Sequence, residues 1–325
     1  MLKLLITGLI LQTVTATALA QSRPSQTMIG KKTLEAWVLG FSHPGKSHVR
    51  IPPEAAREFF KKLDENAMKT IDSKKDGRKI GVTLDNLNYA AIIDYSAPST
   101  ERRFFFINLK TGGVKAYYVA HGKGSVANTK DRNQWRHTRY FSNTQDSKAT
   151  SLGNFVSGGT YMGKHGLALK LFGIDEANSE AFDRAIVIHG ASYVGEDPLK
   201  INGNQYMGMS WGCPALGRGA AQKIIPLLAG GSLIYAYHKE FTPVAKTNPL
   251  LLEPPRVLKQ LLKNNTRLQG SLLKQKVTLN FELDEEIEEI LMPGEDTENL
   301  AKNGQTPPVE APPSQPETPI SDEKD

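Results

Sequence analysis

Apolar residues recur along this chain with two different periods, and the change between them divides it. After Pro52-Pro53-Glu54, the apolar positions Ala55, Ala56, Phe59, Phe60, Leu63, Ala67 and Met68 follow a helical spacing, and the prolines mark where that helix begins. From residue 81 the period shortens. Tyr89 to Tyr95, Phe104 to Leu109, Val114 to Ala120, Asn154 to Ser157, Ala185 to Ile188 and Leu233 to Tyr237 are short runs rich in β-branched and aromatic residues, bounded by Gly, Pro, Ser or Asp, and they read as strands. Thr111-Gly112-Gly113 supplies a hairpin turn between the second and third. A helix runs from about Gly219 to Leu228 and stops at Gly230-Gly231. Beyond Pro254-Pro255, Val257 to Leu262 suits a further short helix. The pattern predicts a β-rich α+β chain.

The two ends have a different character. Lys3, the apolar run Leu4 to Leu11 and the small-x-small sequence Ala18-Leu19-Ala20 make residues 1–20 a signal peptide cleaved after Ala20. An uncleaved anchor is the competing reading, but a spanning helix needs roughly 20 apolar residues, and Gln12, Thr13, Thr15 and Thr17 dilute this one. Membrane contact is therefore expected only in transit, through the signal peptide. Past Leu283 the composition turns to Glu, Pro, Thr, Ser and Asp, too poor in apolar residues to offset the entropy of ordering. The expected organisation is a signal peptide (1–20), a helical leader segment (21–80), a strand-rich main domain (81–240), an ambiguous extension (241–284) and an acidic, proline-rich disordered tail (285–325).

Charge follows the same division. The segment from Glu282 onward has 14 acidic residues against two lysines, a net −12, whereas the whole chain carries +6, so the remaining 281 residues hold +18. A basic body outside the cytoplasm suits an anionic polymer, an anionic lipid or nucleic acid. No nucleic-acid partner is expected, because the basic residues are scattered without helix-borne clustering or an aromatic platform.

Cys213 is the only cysteine among 325 residues. In an oxidising compartment a single cysteine has no partner within the chain, so a buried structural thiol and a nucleophile are the two readings open to it. Glycine before it and proline after it describe a tight turn. His189, 24 positions upstream, ends a strand-like run and can present an imidazole at a sheet edge. A nearby histidine and the helix after Cys213 would both lower the thiol pKa. The amides of Gly212 and Cys213 suit an oxyanion hole, and the Gly190 carbonyl could fix the His189 tautomer. Such a site performs acyl transfer. A thiolate zinc site is excluded with one cysteine, and no cofactor is expected.

These residues carry a family resemblance. Ser210-Trp211-Gly212-Cys213-Pro214-Ala215, with Arg184-Ala185-Ile186-Val187-Ile188-His189-Gly190-Ala191, resembles the L,D-transpeptidase catalytic domain of bacterial cell-wall enzymes, in the subgroup with H-G-A and S-W-G-C-P motifs. Asp94-Tyr95-Ser96-Ala97-Pro98-Ser99, Ala120-His121-Gly122, Ser151-Leu152-Gly153, Gly163-Lys164-His165-Gly166 and Gly230-Gly231-Ser232 agree in order, across residues 85 to 238. The resemblance implies a mixed β-sheet sandwich with cysteine and histidine in a groove. It also implies peptidoglycan stem peptides as substrates and a periplasmic or secreted, wall-associated location, and it allows a wall-attached protein as acceptor. By matching position, Cys213 is the nucleophile, His189 the base, Gly190 the orienting carbonyl, and the Gly212 and Cys213 amides the oxyanion donors.

Trp211 stands where the broader family has a second histidine, and Ala215 where it has arginine or asparagine. A carboxylate anchor is then expected from Arg218 or Arg184. His121 and His165 are candidates for the groove lining, with a structural role the commoner fate of such histidines. Ser210 either bonds the imidazole or holds the turn, the second being favoured. Tyr193 and Trp211 are candidate aromatic walls. Three functions remain open: transpeptidase, L,D-carboxypeptidase or endopeptidase with water as acceptor, and a non-catalytic wall-binding protein.

Overall fold

The computed structural model describes residues 23–241, apart from 198, 199, 202 and 204, and residues 253–270, apart from 264, 266 and 269. The expected signal peptide, the acidic tail and part of the stretch 241–284 lie outside the described residues. Ahead of the main sheet, the hairpin of β1 (Met28–Ile29) and β2 (Lys32–Thr33) leads into α1 (Leu34–Leu39). Thr33 caps that helix, its hydroxyl accepting from the Ala36 amide at 3.2 Å. A second hairpin, β3 (Ser42–His43) with β4 (Lys46–Arg50), precedes α2 (Pro53–Asn66). Pro53 begins α2 where a missing amide hydrogen leaves no bond unmade. A third hairpin pairs β5 (Thr70–Lys75) with β6 (Arg78–Thr83).

The spacing predicts α2, whereas the hairpins around it leave no clear trace in the sequence. Strands of two residues are too short to show a period. The sequences of β5 and β6 are rich in lysine, arginine and threonine, because most of their side chains face solvent. The apolar stripe of α2 is fully used: Ala55, Ala56, Phe59, Phe60 and Leu63 are all buried. They share one core with Ile92, Phe105, Ile107, Leu233 and Tyr235 of the main sheet. The segment expected as a leader thus contributes side chains to the same core as the strands that follow.

That sheet comprises β7 (Tyr89–Asp94), β8 (Arg102–Asn108), β9 (Val114–Ala120), β10 (Gly153–Gly163), β11 (Gly166–Gly173), β12 (Val187–Ala191), β13 (Ala215–Gly217) and β14 (Leu233–Tyr237). Its order is β10-β11-β12-β13-β9-β8-β7-β14, with β14 pairing back to β10, so the mixed sheet closes into a barrel instead of leaving two stacked layers with free edges. Two pairs are parallel, β12 with β13 and β14 with β7. The other neighbours are antiparallel.

Several boundaries differ from the sequence pattern for local reasons. β10 continues past Ser157 because Gly158 and Gly159 are absorbed in a bulge between Ser157 and Thr160. β11 is built largely from leucine, alanine and lysine, which favour helix in isolation. It becomes a strand by pairing with β10 through the tight turn Lys164-His165, flanked by the Gly163–Gly166 pair with Gly166 at φ +79°. β12 begins at Val187, not Ala185, since Ala185 has φ +53° and cannot extend the strand.

α3 (Arg218–Leu228) follows β13 and packs against β12 and β11. A last helix, α4 (Pro255–Leu262), buries Val257, Leu258 and Leu262. Among the described residues, no helix is long and apolar enough to cross a membrane.

Phe59 and Phe60 join α2 to the barrel core, their rings edge to face at 5.1 Å. Phe59→Ala should lower unfolding free energy by about 3–5 kcal/mol, the range for removing a fully buried phenylalanine. Urea denaturation followed by far-UV circular dichroism measures it; a change under 1 kcal/mol would mean that α2 is not integral to the core.

Candidate active site

His189 stands in the middle of β12 and is 3% exposed. Its Nδ1 lies 3.1 Å from the Gly190 carbonyl oxygen. A carbonyl oxygen only accepts, so Nδ1 carries the proton and Nε2 is left as the basic nitrogen. The His165 ring stacks on the His189 ring at 4.7 Å with 26° between planes. Burial lowers the His189 pKa from its usual 6.5, the Gly190 bond opposes this, and His165 adds to the lowering. At neutral pH the imidazole is uncharged.

The parallel pairing of β12 and β13 sets His189 opposite Ala215. Cys213 comes two residues earlier, level with Val187. The cysteine lies in a turn that is pinned at several points. Ser210 Oγ donates to the Cys213 carbonyl at 2.6 Å and accepts from the Gly212 amide at 3.1 Å. The Ser210 amide donates to the His121 carbonyl at 3.0 Å, and the Ser210 carbonyl accepts from the Lys123 amide at 2.8 Å. Ser210 therefore holds the turn. Gly212 has φ +119°, and a Cβ there would sit 2.8 Å from the Ala149 carbonyl oxygen. Only glycine fits that position.

The Cys213 sulfur is partly exposed and lies 3.6 Å from the Ala185 carbonyl oxygen. Desolvation raises the thiol pKa above its ordinary 9.0, while the Val187 amide, the charge of Arg184 and its own amide pull it down. This corrects the expectation of a depressed thiol pKa. Along the chain, Pro214 and β13 stand between Cys213 and the start of α3. Because the Gly212 amide is engaged by Ser210, the Cys213 amide is the candidate oxyanion donor of the two expected.

The remaining sequence-derived residues divide into three places. Trp211 is 72% exposed beside the cysteine, with Lys148 Nζ 4.5 Å from its ring centre. His165, Tyr193, Gly190 and Arg218 line a cavity of about 540 Å³, together with Lys164 and Gln222. Among the described residues, no acidic one lines it. Tyr193 is pushed up to about 12 by desolvation and, secondarily, by the Cys213 charge.

His121 and Arg184 do not face the cavity as expected. His121 is 0% exposed, and its Nδ1 accepts from Arg103 Nη2 at 2.7 Å. Burial and the Arg103 charge push its pKa well down, so it is a neutral internal acceptor. Arg103 is itself fully buried, donating to the Ala97 and Val119 carbonyls. Arg184 turns inward, donating to Ser151 Oγ at 2.6 Å, Ala149 O at 2.7 Å, Ser147 Oγ at 3.0 Å and the Ser142 carbonyl. Both terminal guanidinium nitrogens are thus bonded within the chain. Nothing in the residue pattern singled out Arg103, since a charged residue inside a strand pattern ordinarily faces solvent.

Among the described residues no group of histidine, cysteine, aspartate or glutamate could hold a metal ion. The description of the L,D-transpeptidase catalytic domain matches residues 58–237, more than half of the chain, and the protein belongs to that family. Enzymes of this family act on peptidoglycan. No curated protein sequence matches. Solved structures align at low identity. An L,D-transpeptidase from Mycobacterium smegmatis is 15% identical, with 53% of this chain and 68% of that one covered and a TM-score of 0.28. One from Stackebrandtia nassauensis is 13% identical, with 63% and 75% covered and a TM-score of 0.27. A helical cell shape determining protein from Campylobacter jejuni is 12% identical, with 66% and 65% covered and a TM-score of 0.28. The fold assignment rests on the strand pairing and the family match, not on these superpositions.

Gly212→Ala should strain the turn by about 1–3 kcal/mol and slow alkylation of Cys213 by iodoacetamide. Wild-type alkylation in a folded Gly212→Ala protein would show that the left-handed backbone there is not what sets the sulfur.

Proposed function

We propose that this chain is an L,D-transpeptidase that cleaves peptidoglycan stem peptides through a thioester on Cys213. The observation that carries the reading is the His189–Gly190 hydrogen bond. It commits the Nδ1 proton to a carbonyl and leaves Nε2 as a neutral base on a strand paired to the segment that follows the cysteine. With the thiol raised and the imidazole lowered, the resting pair is neutral, not an ion pair. His189 then acts as a general base during attack.

The chemistry proceeds in two halves. Nε2 takes the thiol proton as sulfur adds to the carbonyl between an L- and a D-centre, and the Cys213 amide stabilises the oxyanion. Collapse breaks the peptide bond, the departing D-amino acid takes the proton from His189, and the acyl group stays on sulfur. An amine of a neighbouring stem attacks the thioester and restores the thiol. A wall-attached protein would serve as acceptor by the same step. Arg218 and Lys164, in a cavity with no acidic residue among its described lining, are suited to a stem-peptide carboxylate, with His165 and Tyr193 lining the same cavity and Trp211 exposed beside the cysteine. Residues 1–20 as a signal peptide would deliver the enzyme to the wall, in the periplasm or outside the cell.

Cys213→Ala should abolish conversion of tetrapeptide muropeptides while leaving the fold intact, and His189→Ala should lower turnover by about 10²–10⁴-fold, the span for loss of a general base. Mass spectrometry with an amine acceptor present reads the products: dimers or exchanged D-amino acids support transfer, and tripeptides alone would assign water as acceptor. Processing that survives Cys213→Ala would remove the enzymatic reading.

The pH profile provides a separate check. The lowered His189 pKa keeps its basic form present on the acid side, so kcat/KM should fall only below pH 6.5. The raised thiol pKa means that alkylation of the His189→Ala protein should climb through and above pH 9.0. An acid limb centred above pH 6.5 would contradict the buried, neutral imidazole.

A further inference from the structure

Among the buried carboxylates that the site described so far leaves unused is Glu253. Glu253 opens the second described stretch, ahead of α4, and is 3% exposed. Its Oε1 accepts from Thr144 Oγ1 at 2.8 Å. Its charge is the largest electrostatic influence acting on Arg184 to keep that guanidinium protonated, against burial that draws it down to about 10. Cys213, Asp146 and Glu180 act on Arg184 in the same sense, in decreasing order. Three residues further on, Arg256 Nη2 donates to the Ser147 carbonyl at 2.6 Å. Val257, Leu258 and Leu262 bury the inner face of α4.

Residues 142–151 are therefore held from two sides. Glu253 and Arg256 grip Thr144 and Ser147 from the C-terminal segment, and Arg184 grips Ser142, Ser147, Ala149 and Ser151 from the strand side. This segment cannot hold itself by regular pairing, and Asp146 and Lys148 both have φ +58°. It is also the floor of the cysteine turn. The Ala149 carbonyl and Arg184 Nη2 would lie 2.8 and 3.4 Å from a Cβ on Gly212. The Lys148 carbonyl accepts from the Gly124 amide at 2.8 Å, and Thr150 Oγ1 accepts from the Gly122 amide at 2.9 Å. The residue after Arg184 carries the carbonyl that touches the sulfur.

We propose that Glu253 and Arg184 brace residues 142–151 from opposite sides and thereby position Cys213, so that the segment beginning at Glu253 is a working part of the acyl-transfer site. Arg184 is a positioning residue: it fixes the Ala185 carbonyl on one side of the sulfur and the Gly212 backbone on the other. Glu253 balances the guanidinium and ties it to residues 142–151. The inference rests on Cys213 being the nucleophile. It assigns a role to residues beyond 237, where the family match ends.

The test uses the full chain and two readouts, the pH dependence of Cys213 alkylation by iodoacetamide and the kcat and KM for tetrapeptide muropeptides. Glu253→Gln keeps the shape and an acceptor for Thr144 but removes the charge that offsets Arg184. The guanidinium then acts on the sulfur uncompensated, and the alkylation midpoint should move to lower pH. Misplacement of the sulfur should lower kcat about three- to tenfold, with KM within about twofold, the scale of coupling through a packed network.

Arg256→Ala and Thr144→Val, which loosen the brace without changing the Arg184 charge balance, should lower kcat with little movement of the midpoint. They carry the test if Glu253→Gln does not fold by circular dichroism. Wild-type midpoint and kcat in the folded variants would overturn the proposal. If the wild-type protein is alkylated at Cys213 but turns over no muropeptide, the enzymatic reading fails, and the midpoint shift alone decides the brace: its presence supports the brace and its absence overturns it.

Discussion

The parallel pairing of β12 with β13 is the contact on which the site depends. It sets His189 across from Ala215 and fixes the height of Cys213 relative to the imidazole. A slip of one residue would turn every side chain of a strand to its other face. The slip is blocked on both sides. β12 is held by β11 through three consecutive pairs, and β13, only three residues long, is held by β9 at Ala215 and Leu216. Barrel closure removes the free edge at which such a short strand would otherwise slide.

Around that pairing the protein places its polar groups unevenly. The imidazole is buried but has a partner for its proton, and the sulfur is partly exposed but faces amides and a carbonyl. Both shifts arise from desolvation, and both favour uncharged forms. The site therefore keeps its charge separation for the moment of attack, when a fixed amide and a fixed base are already in place. The strained backbone at Ala185, a non-glycine residue at φ +53°, carries the carbonyl that touches the sulfur, consistent with strain gathered where a group must be aimed.

Two inward-turned cations, Arg103 fully buried and Arg184 half-buried, support this arrangement from behind, each with a different device. Arg103 is satisfied by carbonyls and by neutral His121, whose own carbonyl holds the Ser210 amide. Arg184 is satisfied by a segment that the C-terminal residues also hold. Arg103 bonds through all three guanidinium nitrogens and Arg184 through both terminal ones, a spread that a lysine with its single ammonium would not achieve. Burying an arginine without such partners would destabilise the fold by several kcal/mol per ion.

Periodic spacing in the sequence determined α2, α3, the β8–β9 hairpin and the runs of β7, β9 and β14, because each carries an apolar or turn pattern that local physics can read. Cys213, His189 and the Gly190 carbonyl were legible too, since a lone thiol in a glycine-proline turn and a histidine ending an aliphatic run are distinctive residue types in distinctive places. The tertiary structure alone decided the rest. β11 becomes a strand despite its helix-forming residues because β10 and β12 offer it partners. Arg184 and His121 turn inward, away from the cavity, because acceptors from distant segments satisfy them there. Glu253 reaches the site across 109 positions to Thr144. Such contacts depend on where a closed barrel brings remote backbone together, and no local period encodes that.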